Sequence, residues 1–217
     1  LSMTDQQTRT GRDLGGLFIV LEGGDGAGKT TQSRLLDQWL TSQRISHLMT
    51  REPGGSGLGQ RIRELVLFPD SAEICPRAEA LLYNADKAQH VEQVIMPALR
   101  EGKVVVCDRY IDSTIAYQGA GRVLDPEEVA QLASWATAGL VPDLTVLLDV
   151  DPSEGAGKIA AKDRMEAAGE EFHRRVRQHF LDLADTHPER YLVLNARKRR
   201  EEIRDAVSKQ VSELLDR

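Results

Sequence analysis

Short apolar runs alternate along this chain with longer stretches in which apolar residues recur at helical spacing. The short runs predict β-strands, and the longer stretches predict amphipathic helices. Strands are expected near residues 17–22, 45–50, 103–107, 144–149 and 190–195, and helices near 29–43, 76–101, 126–138, 164–185 and 199–216. This alternation predicts right-handed crossovers and a parallel sheet with helices on both faces. The expected fold class is therefore α/β, with a five-stranded sheet in a three-layer α/β/α arrangement.

Two segments outside the strands can be interpreted further. Asp125 is a suitable N-cap because Pro126 follows at the first helical position and Glu128 comes two residues later. Residues 151–163 contain two glycines, two lysines and little apolar content. Such a composition is typical of a surface segment, and we expect a mobile lid there.

Length and charge restrict the classes of protein that fit. The chain has 217 residues, which suits one domain, expected over residues 17–217. Its 28 Lys and Arg stand against 34 Asp and Glu, a net charge of −6, which argues against nucleic acid as the main partner. No apolar run has the length of a membrane span, so we expect no membrane contact. Residues 1–16 are expected to be a disordered tail in which Leu1 and Ser2, ahead of Met3, are a remnant of cloning.

The two cysteines bear on the compartment. Cys75 and Cys107 show no metal-ligand spacing, and Cys107 lies in an apolar run, as a small buried hydrophobe does. Nothing in their arrangement suggests a disulfide framework, and the N-terminus lacks the apolar core of a signal peptide. We therefore expect a cytoplasmic location.

The most specific motif is G-x-x-x-x-G-K-T at residues 23–30. It follows an apolar strand and precedes a helix, which is the context of a phosphate-binding P-loop. Glycines let backbone N–H groups approach phosphate oxygens, Lys29 supplies a charge for the β- and γ-phosphates, and the Thr30 hydroxyl can ligate Mg²⁺. An ordinary glycine-rich turn would explain the glycines but not Lys-Thr at this spacing. The motif therefore predicts binding of a nucleoside triphosphate.

A second candidate element, Asp108-Arg109-Tyr110, follows the third predicted strand. A carboxylate at the end of a strand beside a P-loop commonly assists Mg²⁺, which makes Asp108 a candidate. Arg109 could bind a second phosphate through its two-pronged guanidinium. A turn acid and a surface arginine would look the same, so the tripeptide has weight only together with the P-loop.

Two polar groups could recognise a planar ligand such as a base. The first comprises Ser113, Thr114, Tyr117 and Gln118, on a short helix or turn. The second comprises Tyr83, Lys87 and His90, which share one face of the helix near 76–101. From spacing alone, ordinary loop polarity and a solvated helix face with a snorkelling lysine are the simpler interpretations.

Taken together, these motifs resemble the thymidylate kinase family over nearly the whole chain. The matching segments are F-I-V-L-E-G-G-D-G-A-G-K-T-T-Q at 18–32, T-R-E-P-G-G at 50–55, A-L-L-Y-N-A-D-K-A-Q-H at 80–90, D-R-Y at 108–110, A-Y-Q-G at 116–119 and D-R-M-E at 163–166. The resemblance implies a P-loop kinase fold with a lid and transfer of the ATP γ-phosphate to dTMP, giving dTDP and ADP in dTTP biosynthesis. It also implies Mg²⁺ as cofactor and a homodimer.

The resemblance also implies roles for single residues. Asp25 would meet the sugar 3′-hydroxyl of dTMP, Arg109 and more weakly Arg51 would hold its phosphate, and Tyr83 would stack on thymine. Lys87 stands where the family usually has an Arg that contacts the base edge, and a lysine there loses the planar fork. Further dTMP contacts would come from Ser113, Thr114, Tyr117 and Gln118. ATP would be bound by Gly23, Gly24, Asp25, Gly26, Ala27, Gly28, Lys29, Thr30 and Thr31, and the metal by Thr30 and Asp108.

The source of the catalytic cation departs from the family pattern. One branch of the family carries a catalytic Arg after the P-loop acid, where this chain has Gly26. The other branch supplies arginines from the lid, where this chain offers Lys158, Lys162 and, at its exit, Arg164. The expected catalytic residues are Lys29, Asp25, Arg109, Lys158, Lys162 and Arg164.

Three other functions share some of these sequence features or offer an alternative to them. Another small P-loop kinase, such as a deoxynucleoside kinase, would share the Asp108-Arg109-Tyr110 element. A regulatory GTPase would need N-K-x-D and D-x-x-G motifs, and neither Asn195-Ala196-Arg197-Lys198 nor Asp108-Arg109-Tyr110-Ile111 fits them. A catalytically inactive nucleotide-binding module stays open because the lid has few cations.

Overall fold

A computed structural model describes residues 8–68, 73–121, 124–155 and 169–216. Its sheet has five parallel strands in the order β2-β3-β1-β4-β5. The strands are β1 (Leu17–Gly23), β2 (His47–Arg51), β3 (Val104–Asp108), β4 (Leu144–Asp149) and β5 (Tyr191–Asn195). The predicted α/β class and five-stranded parallel sheet are confirmed, and each predicted strand lies within two residues of its observed bounds.

Nine α-helices are present in these ranges: α1 (Lys29–Ser42), α2 (Gly57–Leu67), α3 (Pro76–His90), α4 (Met96–Arg100), α5 (Ile111–Thr114), α6 (Pro126–Ala136), α7 (Pro152–Gly155), α8 (Glu170–Thr186) and α9 (Arg200–Leu215). Two π-helical turns, Val91–Ile95 and Ile115–Gly121, and two 3₁₀ turns, Arg12–Leu14 and Pro188–Arg190, complete the list. No helix in the described ranges combines the length and apolarity needed to cross a bilayer.

The predicted helix at 76–101 is not a uniform α-helix. Between α3 and α4 the Met96 N–H bonds to the Val91 carbonyl, one residue further back than in an α-helix. Pro97 follows immediately and has no N–H to donate. The prediction also missed α2, whose N-cap Ser56 accepts the Gly59 N–H at 3.0 Å. Gly57 and Gly59 have no side chain, which weakens the helical pattern of that segment.

The sheet is covered on both faces, so all seven residues of β1 are buried. On one face Ile19 and Leu21 pack against α1 and α9 through Leu36, Leu40 and Val207. The opposite face holds Phe18 and Val20 with Val91, Ile95 and Leu99. Parallel pairing aligns Leu21 and Arg51 with Asp108, so the polar residues that end β1, β2 and β3 meet at one edge.

Residues 8–16 lie against the domain, which corrects the predicted disordered tail over this stretch. Arg9 pairs with Leu140, its N–H donating to the Gly139 carbonyl at 3.0 Å and its carbonyl accepting the Val141 N–H at 2.8 Å. Gly11 is buried where a Cβ would lie 2.4 Å from Asp143 Oδ2, so only glycine fits. A polar segment with few apolar residues gave no sign of this packing. Residues 1–7 lie outside the described part of the chain.

The predicted lid, residues 151–163, is described only at its start. Asp151 caps α7 by accepting the Ser153 N–H at 3.0 Å and its hydroxyl at 2.6 Å. Arg177 on α8 bonds both Asp149 oxygens and Asp151, which joins the end of β4 to α8. The candidate cations Lys158, Lys162 and Arg164 lie outside the described residues, as does the predicted helical stretch 164–168.

Candidate active site

One cavity of about 460 Å³ opens at the carboxyl ends of β1, β2 and β3. This is the edge at which ligands bind in open parallel sheets. The P-loop, α1 and α2 form part of its wall, α3, α5 and the turn after α5 form another part, and the segments that end and follow β2 and β3 complete it. Its lining comprises Asp25, Gly26, Gly28, Lys29, Thr30, Thr31, Arg51, Glu52, Pro53, Arg63, Leu67, Tyr83, Lys87, Asp108, Arg109, Tyr110, Ser113, Thr114, Tyr117 and Gln118.

The P-loop has the backbone that its glycines predict. Gly23, Gly26 and Gly28 have φ values of 137°, 73° and 92°, a region that L side chains rarely adopt. At Gly23 a Cβ would also lie 2.4 Å from the Leu148 carbonyl oxygen of β4. Helix α1 begins at Lys29, so its first N–H groups face the loop. The loop and the helix start together form an anion-binding concavity.

The Lys29 ammonium folds back into this loop. It donates to the carbonyls of Gly23 at 2.8 Å and Gly24 at 2.9 Å. Burial, followed by the positive charge of Arg109, lowers the pKa of Lys29 to about 8, although Asp25 and Asp108 oppose the shift. The ammonium is therefore held where phosphate oxygens would replace the carbonyls as its partners.

Asp25 is paired with Arg109 across the cavity. Arg109 Nη2 donates to Asp25 Oδ1 at 2.5 Å, and the Tyr117 hydroxyl donates to Oδ2 at 3.2 Å. Burial alone would raise the pKa of Asp25, but Arg109 and Lys29 hold it below its ordinary value. The carboxylate is therefore ionised, and it lies between the P-loop and the turn after β3.

Arg109 adopts an unusual backbone conformation, with φ of 68°. This left-handed conformation is costly for a residue with a side chain. Its guanidinium also donates to the Gly23 carbonyl at 3.2 Å and the Ser113 hydroxyl at 3.1 Å, and it lies 5.0 Å from the Tyr117 ring centroid. These contacts aim the guanidinium into the cavity beside the P-loop.

Glu22, at the end of β1, supports the turn that carries Arg109. The carboxylate is fully buried and accepts the Tyr110 N–H at 2.8 Å, the Ser113 N–H at 3.2 Å and the Ser113 hydroxyl at 2.6 Å. Burial and then Asp112 raise the pKa of Glu22 to about 7, against the pull of Arg109. Glu22 thus occupies the start of α5, where the helix offers unpaired N–H groups.

The opposite wall of the cavity is more apolar. Tyr83 on α3 is 8% exposed and packs with Ile62 and Val66 of α2. Tyr117 packs edge-on against Phe172 and Phe180, at centroid distances of 5.9 and 6.4 Å. An aromatic wall facing polar groups suits a base with a polar edge.

Gln118 adds an oriented amide to this wall. Its amide donates to Glu79 Oε1 at 3.1 Å, which fixes the side chain. The amide is buried, and the residue lines the cavity beside Thr114. An oriented amide of this kind can distinguish the donor and acceptor pattern of a base edge.

Buried polar groups also join α3 to the segment after β2. Lys87 Nζ donates to Glu52 Oε2 at 2.6 Å, and His90 Nδ1 lies 2.8 Å from Glu52 Oε1. Glu52 and Lys87 have side chains only 1% and 2% exposed. Burial alone would lower the pKa of Lys87, but contact with Glu52 holds it above its ordinary value. Lys87 is therefore a charged partner of Glu52 as well as part of the cavity wall.

Comparison with known proteins identifies the family to which a chain with this site belongs. A family model described as thymidylate kinase matches residues 21–207. The chain belongs to the thymidylate kinase family. It is 78% identical over 204 residues to a thymidylate kinase of Cutibacterium acnes, covering 94% of this chain and 100% of that protein. It is 54% identical over 204 residues to one from Clavibacter michiganensis subsp. michiganensis, covering 92% and 96%.

A solved structure agrees with the family assignment. The crystal structure of thymidylate kinase from Ehrlichia chaffeensis matches with a TM-score of 0.73 at 34% sequence identity. The match covers 91% of this chain and 99% of that one. The resemblance stated from the sequence motifs is thereby confirmed.

The residues predicted to contact dTMP all line this cavity: Asp25, Arg51, Tyr83, Lys87, Arg109, Ser113, Thr114, Tyr117 and Gln118. The predicted metal ligands Thr30 and Asp108 line it as well. Of the predicted ATP residues, Gly23, Gly24 and Ala27 belong to the loop but do not line the cavity, and the other six do. Their individual roles stay predictions.

Sequence reasoning missed several residues of the candidate site. Glu22 carries a signal that could have been used, since it is a charged residue at the end of an apolar strand. Arg63 lines the cavity from α2 and donates to the Pro53 carbonyl at 3.0 Å. It could not be placed because α2 was not predicted. Glu52 was quoted within a motif, but its buried partners on α3 are distant in sequence.

Proposed function

We propose that this protein transfers the γ-phosphoryl group of ATP to dTMP, giving dTDP and ADP for dTTP biosynthesis. The observation that carries the proposal is that the P-loop and the Arg109 turn line the same cavity, joined by the Asp25–Arg109 contact. A triphosphate on the P-loop and a phosphate on Arg109 would therefore be neighbours. Such an arrangement suits direct transfer between two nucleotides.

The ATP phosphates would be bound by the P-loop. Backbone N–H groups from Gly26 to Thr31 and the start of α1 would surround the phosphate oxygens. Lys29 would exchange its carbonyl partners, Gly23 and Gly24, for β- and γ-phosphate oxygens. Binding would also keep Lys29 charged, because the phosphates supply the negative charge that favours the ammonium.

The acceptor would lie against the opposite side of the cavity. Arg109, with Arg51, would bind the dTMP phosphate, and Tyr83 would stack on the base. Asp25 would accept a hydrogen bond from the sugar 3′-hydroxyl. The remaining contacts to base and sugar would come from Ser113, Thr114, Tyr117 and Gln118. Lys87 would donate to the base edge through the ammonium protons that it does not donate to Glu52.

The residues proposed for Mg²⁺ fit a hard cation. Asp108 Oδ1 is buried and has no hydrogen-bond partner among the described residues, and the Thr30 hydroxyl lines the same cavity. Carboxylate and hydroxyl oxygens are the ligand types that Mg²⁺ takes beside a P-loop. When bound there, the ion would neutralise charge on the β- and γ-phosphates.

Transfer would require positioning and charge neutralisation rather than a covalent enzyme intermediate. A dTMP phosphate oxygen would form a bond to the γ-phosphorus in line with the leaving oxygen. The bond from that phosphorus to the β–γ bridging oxygen would break and release ADP. The dTMP phosphate is ionised at neutral pH, so the site needs no general base. Lys29 and Arg109 would stabilise the transferring group.

The remaining catalytic charge would come from the lid residues Lys158, Lys162 and Arg164, because Gly26 leaves the P-loop without an arginine. An arginine finger is worth about 10³–10⁵ in rate. Single replacements by Ala should therefore identify the contributing residue by a fall in kcat with little change in KM. If all three variants kept the kcat of the unaltered protein, a cation supplied by the lid would be contradicted.

A turnover assay tests the function directly. Purified protein with ATP and Mg²⁺ would be given dTMP, dUMP, dCMP, AMP, thymidine or shikimate, and ADP release would be followed. The proposal expects the highest kcat/KM for dTMP. A preference for thymidine would instead support a deoxynucleoside kinase, and absence of turnover with every acceptor would support an inactive binding module.

Quaternary structure and location complete the proposal. Large apolar side chains on neighbouring α2, α3 and α6 are about half exposed or more: Leu58, Leu65, Leu81 and Trp135. A second copy of the chain packed on this face would bury them, which supports a homodimer. We also propose a cytoplasmic location, which agrees with two unpaired cysteines, one exposed and one buried.

A further inference from the structure

Glu52 is a fully buried carboxylate at the cavity that the proposed chemistry does not use. It accepts from Lys87 and His90 of α3 through its two oxygens, and the Thr50 hydroxyl lies 2.7 Å from His90 Nε2. These four residues, Thr50, Glu52, Lys87 and His90, are named the Glu52 cluster. Since the carboxylate can only accept, His90 Nδ1 donates to it.

The Glu52 cluster lies where two chain segments are packed too closely for side chains. At Gly55 a Cβ would lie 2.2 Å from His90 Nε2, and at Gly59 one would lie 2.1 Å from Asp86 Oδ1. The Gly54 N–H donates to Asp86 Oδ1 at 3.1 Å. The segment from β2 to the start of α2 is thus held against α3 at several consecutive points.

Both segments carry residues of the acceptor side of the cavity. Arg51 directly precedes Glu52, and the Pro53 carbonyl after it accepts from Arg63. On α3, Tyr83 lies one helical turn before Lys87. A displacement of one segment relative to the other would therefore change the separation of Arg51 from Tyr83.

A metal ion is a weaker explanation of this cluster. Glu52, His90 and Cys107 offer ligand atoms within 4.8 Å of one another. However, the Lys87 ammonium already lies 2.6 Å from Glu52 and supplies the positive charge that an ion would bring. Because both Glu52 oxygens have partners, the cluster is satisfied without a metal.

We propose that Glu52 is a positioning residue for the acceptor nucleotide, acting through Lys87 and His90 to set the distance between Arg51 and Tyr83. The role rests on the proposed function. Glu52 itself need not touch dTMP. Its removal should weaken binding of the acceptor and spare binding of ATP, because the P-loop is held by other contacts.

The test is a double-mutant cycle on Glu52 and Lys87, read as KM for each substrate. Glu52→Gln should raise KM for dTMP at least about tenfold and change KM for ATP less than about twofold. In a Lys87→Met background the same Glu52→Gln change should alter KM for dTMP less than about threefold, because the ion pair is already absent. Asp37→Asn is a matched control, since it removes the carboxylate that contacts His47 at the opposite end of β2.

The possible results separate the two claims. No dTMP turnover by the unaltered protein would contradict the proposed function. Normal turnover with an unchanged KM for dTMP in Glu52→Gln would contradict only the positioning role, as would equal rises in both KM values. If Glu52→Gln does not fold, two other variants keep the test possible: the double variant Glu52→Gln/Lys87→Met, and Thr50→Val. Neither leaves an unpaired buried charge. Unchanged KM for dTMP in both would also overturn the role.

Discussion

The Arg109 guanidinium and the Asp25 carboxylate lie 2.5 Å apart, one on the turn after β3 and the other inside the P-loop. Their side chains are only 20% and 19% exposed, so water screens the pair weakly. The pair therefore joins the P-loop to the turn after β3, the two parts of the chain that are proposed to bind the donor and the acceptor phosphates. It also gives Asp25 an ionised form that can receive a sugar hydroxyl.

Asp25→Asn should weaken discrimination for the 3′-hydroxyl of the acceptor. A hydrogen bond to a charged group is worth about 1.5–3 kcal/mol, so the unaltered enzyme should prefer dTMP to its 3′-deoxy analogue by about 10–100-fold in kcat/KM. The variant should show a preference of less than about threefold. The substitution also leaves Arg109 without its carboxylate partner, but this effect is common to both substrates. It therefore cancels in the ratio of their kcat/KM values. An undiminished preference would show that Asp25 does not contact the sugar.

Activity should depend on pH through Lys29. Its pKa is lowered to about 8 in the free protein, so the charged form that attracts ATP is lost as the pH rises above that value. We expect kcat/KM for ATP to fall about tenfold per pH unit above 8, and kcat to stay level to higher pH because bound phosphates keep the ammonium charged. Measurement from pH 7.5 upwards avoids titration of the nucleotide phosphates.

Two variants control for the source of this pH dependence. Lys29→Arg keeps a charge at every accessible pH, so its profile should be level although its rate is lower. Lys29→Ala should lose about 10²–10³ in kcat, whereas Lys209→Ala, which changes an exposed residue, should not. A level profile in the unaltered enzyme up to pH 9.5 would contradict the prediction.

Asp86→Asn should change how stability depends on pH. Burial and then Glu52 raise the pKa of Asp86 to about 6. From about pH 4 to 6 the unfolded chain releases this proton first, so ionisation lowers the free energy of unfolding over that window. Relative to the unaltered protein, the Asn variant should gain about 2–3 kcal/mol between pH 4 and 7. Urea unfolding at several pH values measures this difference, and Asp185→Asn, at an exposed position, should show none.

Leu81→Glu should weaken the proposed dimer. Leu81 is 57% exposed on α3, which packs beside both α2 and α6. Burial of a leucine is worth about 1.5–3 kcal/mol, so loss of that contact should weaken dimerisation at least about tenfold, and more if the charge is buried. Sedimentation equilibrium measures the dissociation constant of the dimer, and Leu215→Glu at the end of α9 serves as a control. An unchanged constant would place the interface on another face.

Local patterns were enough to predict the framework. Short apolar runs predicted the three central strands, β1, β3 and β4, because both faces of the sheet are covered there and most of their residues are buried. The edge strands β2 and β5 are only partly buried, but each still contains a short apolar run. Asp125 is the N-cap predicted for α6, with its carboxylate accepting the Glu127 N–H at 2.8 Å. The P-loop could be placed because its chemistry needs particular residues at consecutive positions.

Contacts between distant segments could not be predicted in the same way. Glu52 bonds residues 35 and 38 positions away, and no periodicity relates them. The resemblance identified Lys87 as a candidate for the base edge, but its ion pair with Glu52 depends on how α3 packs. Similarly, the left-handed backbone of Arg109 depends on support from Glu22, a contact that only the folded sheet creates.

The pairing of Arg9 with Leu140 has a practical consequence for where this domain may be cut. Arg12 and Phe18 both donate backbone N–H groups to Asp143, and Gly11 occupies the space between them. A shortened chain starting at Leu17 would expose the buried Leu140 and remove one partner of Asp143. Deletions or fusion junctions should therefore be placed before Thr8, since the first strand does not mark the edge of the folded unit.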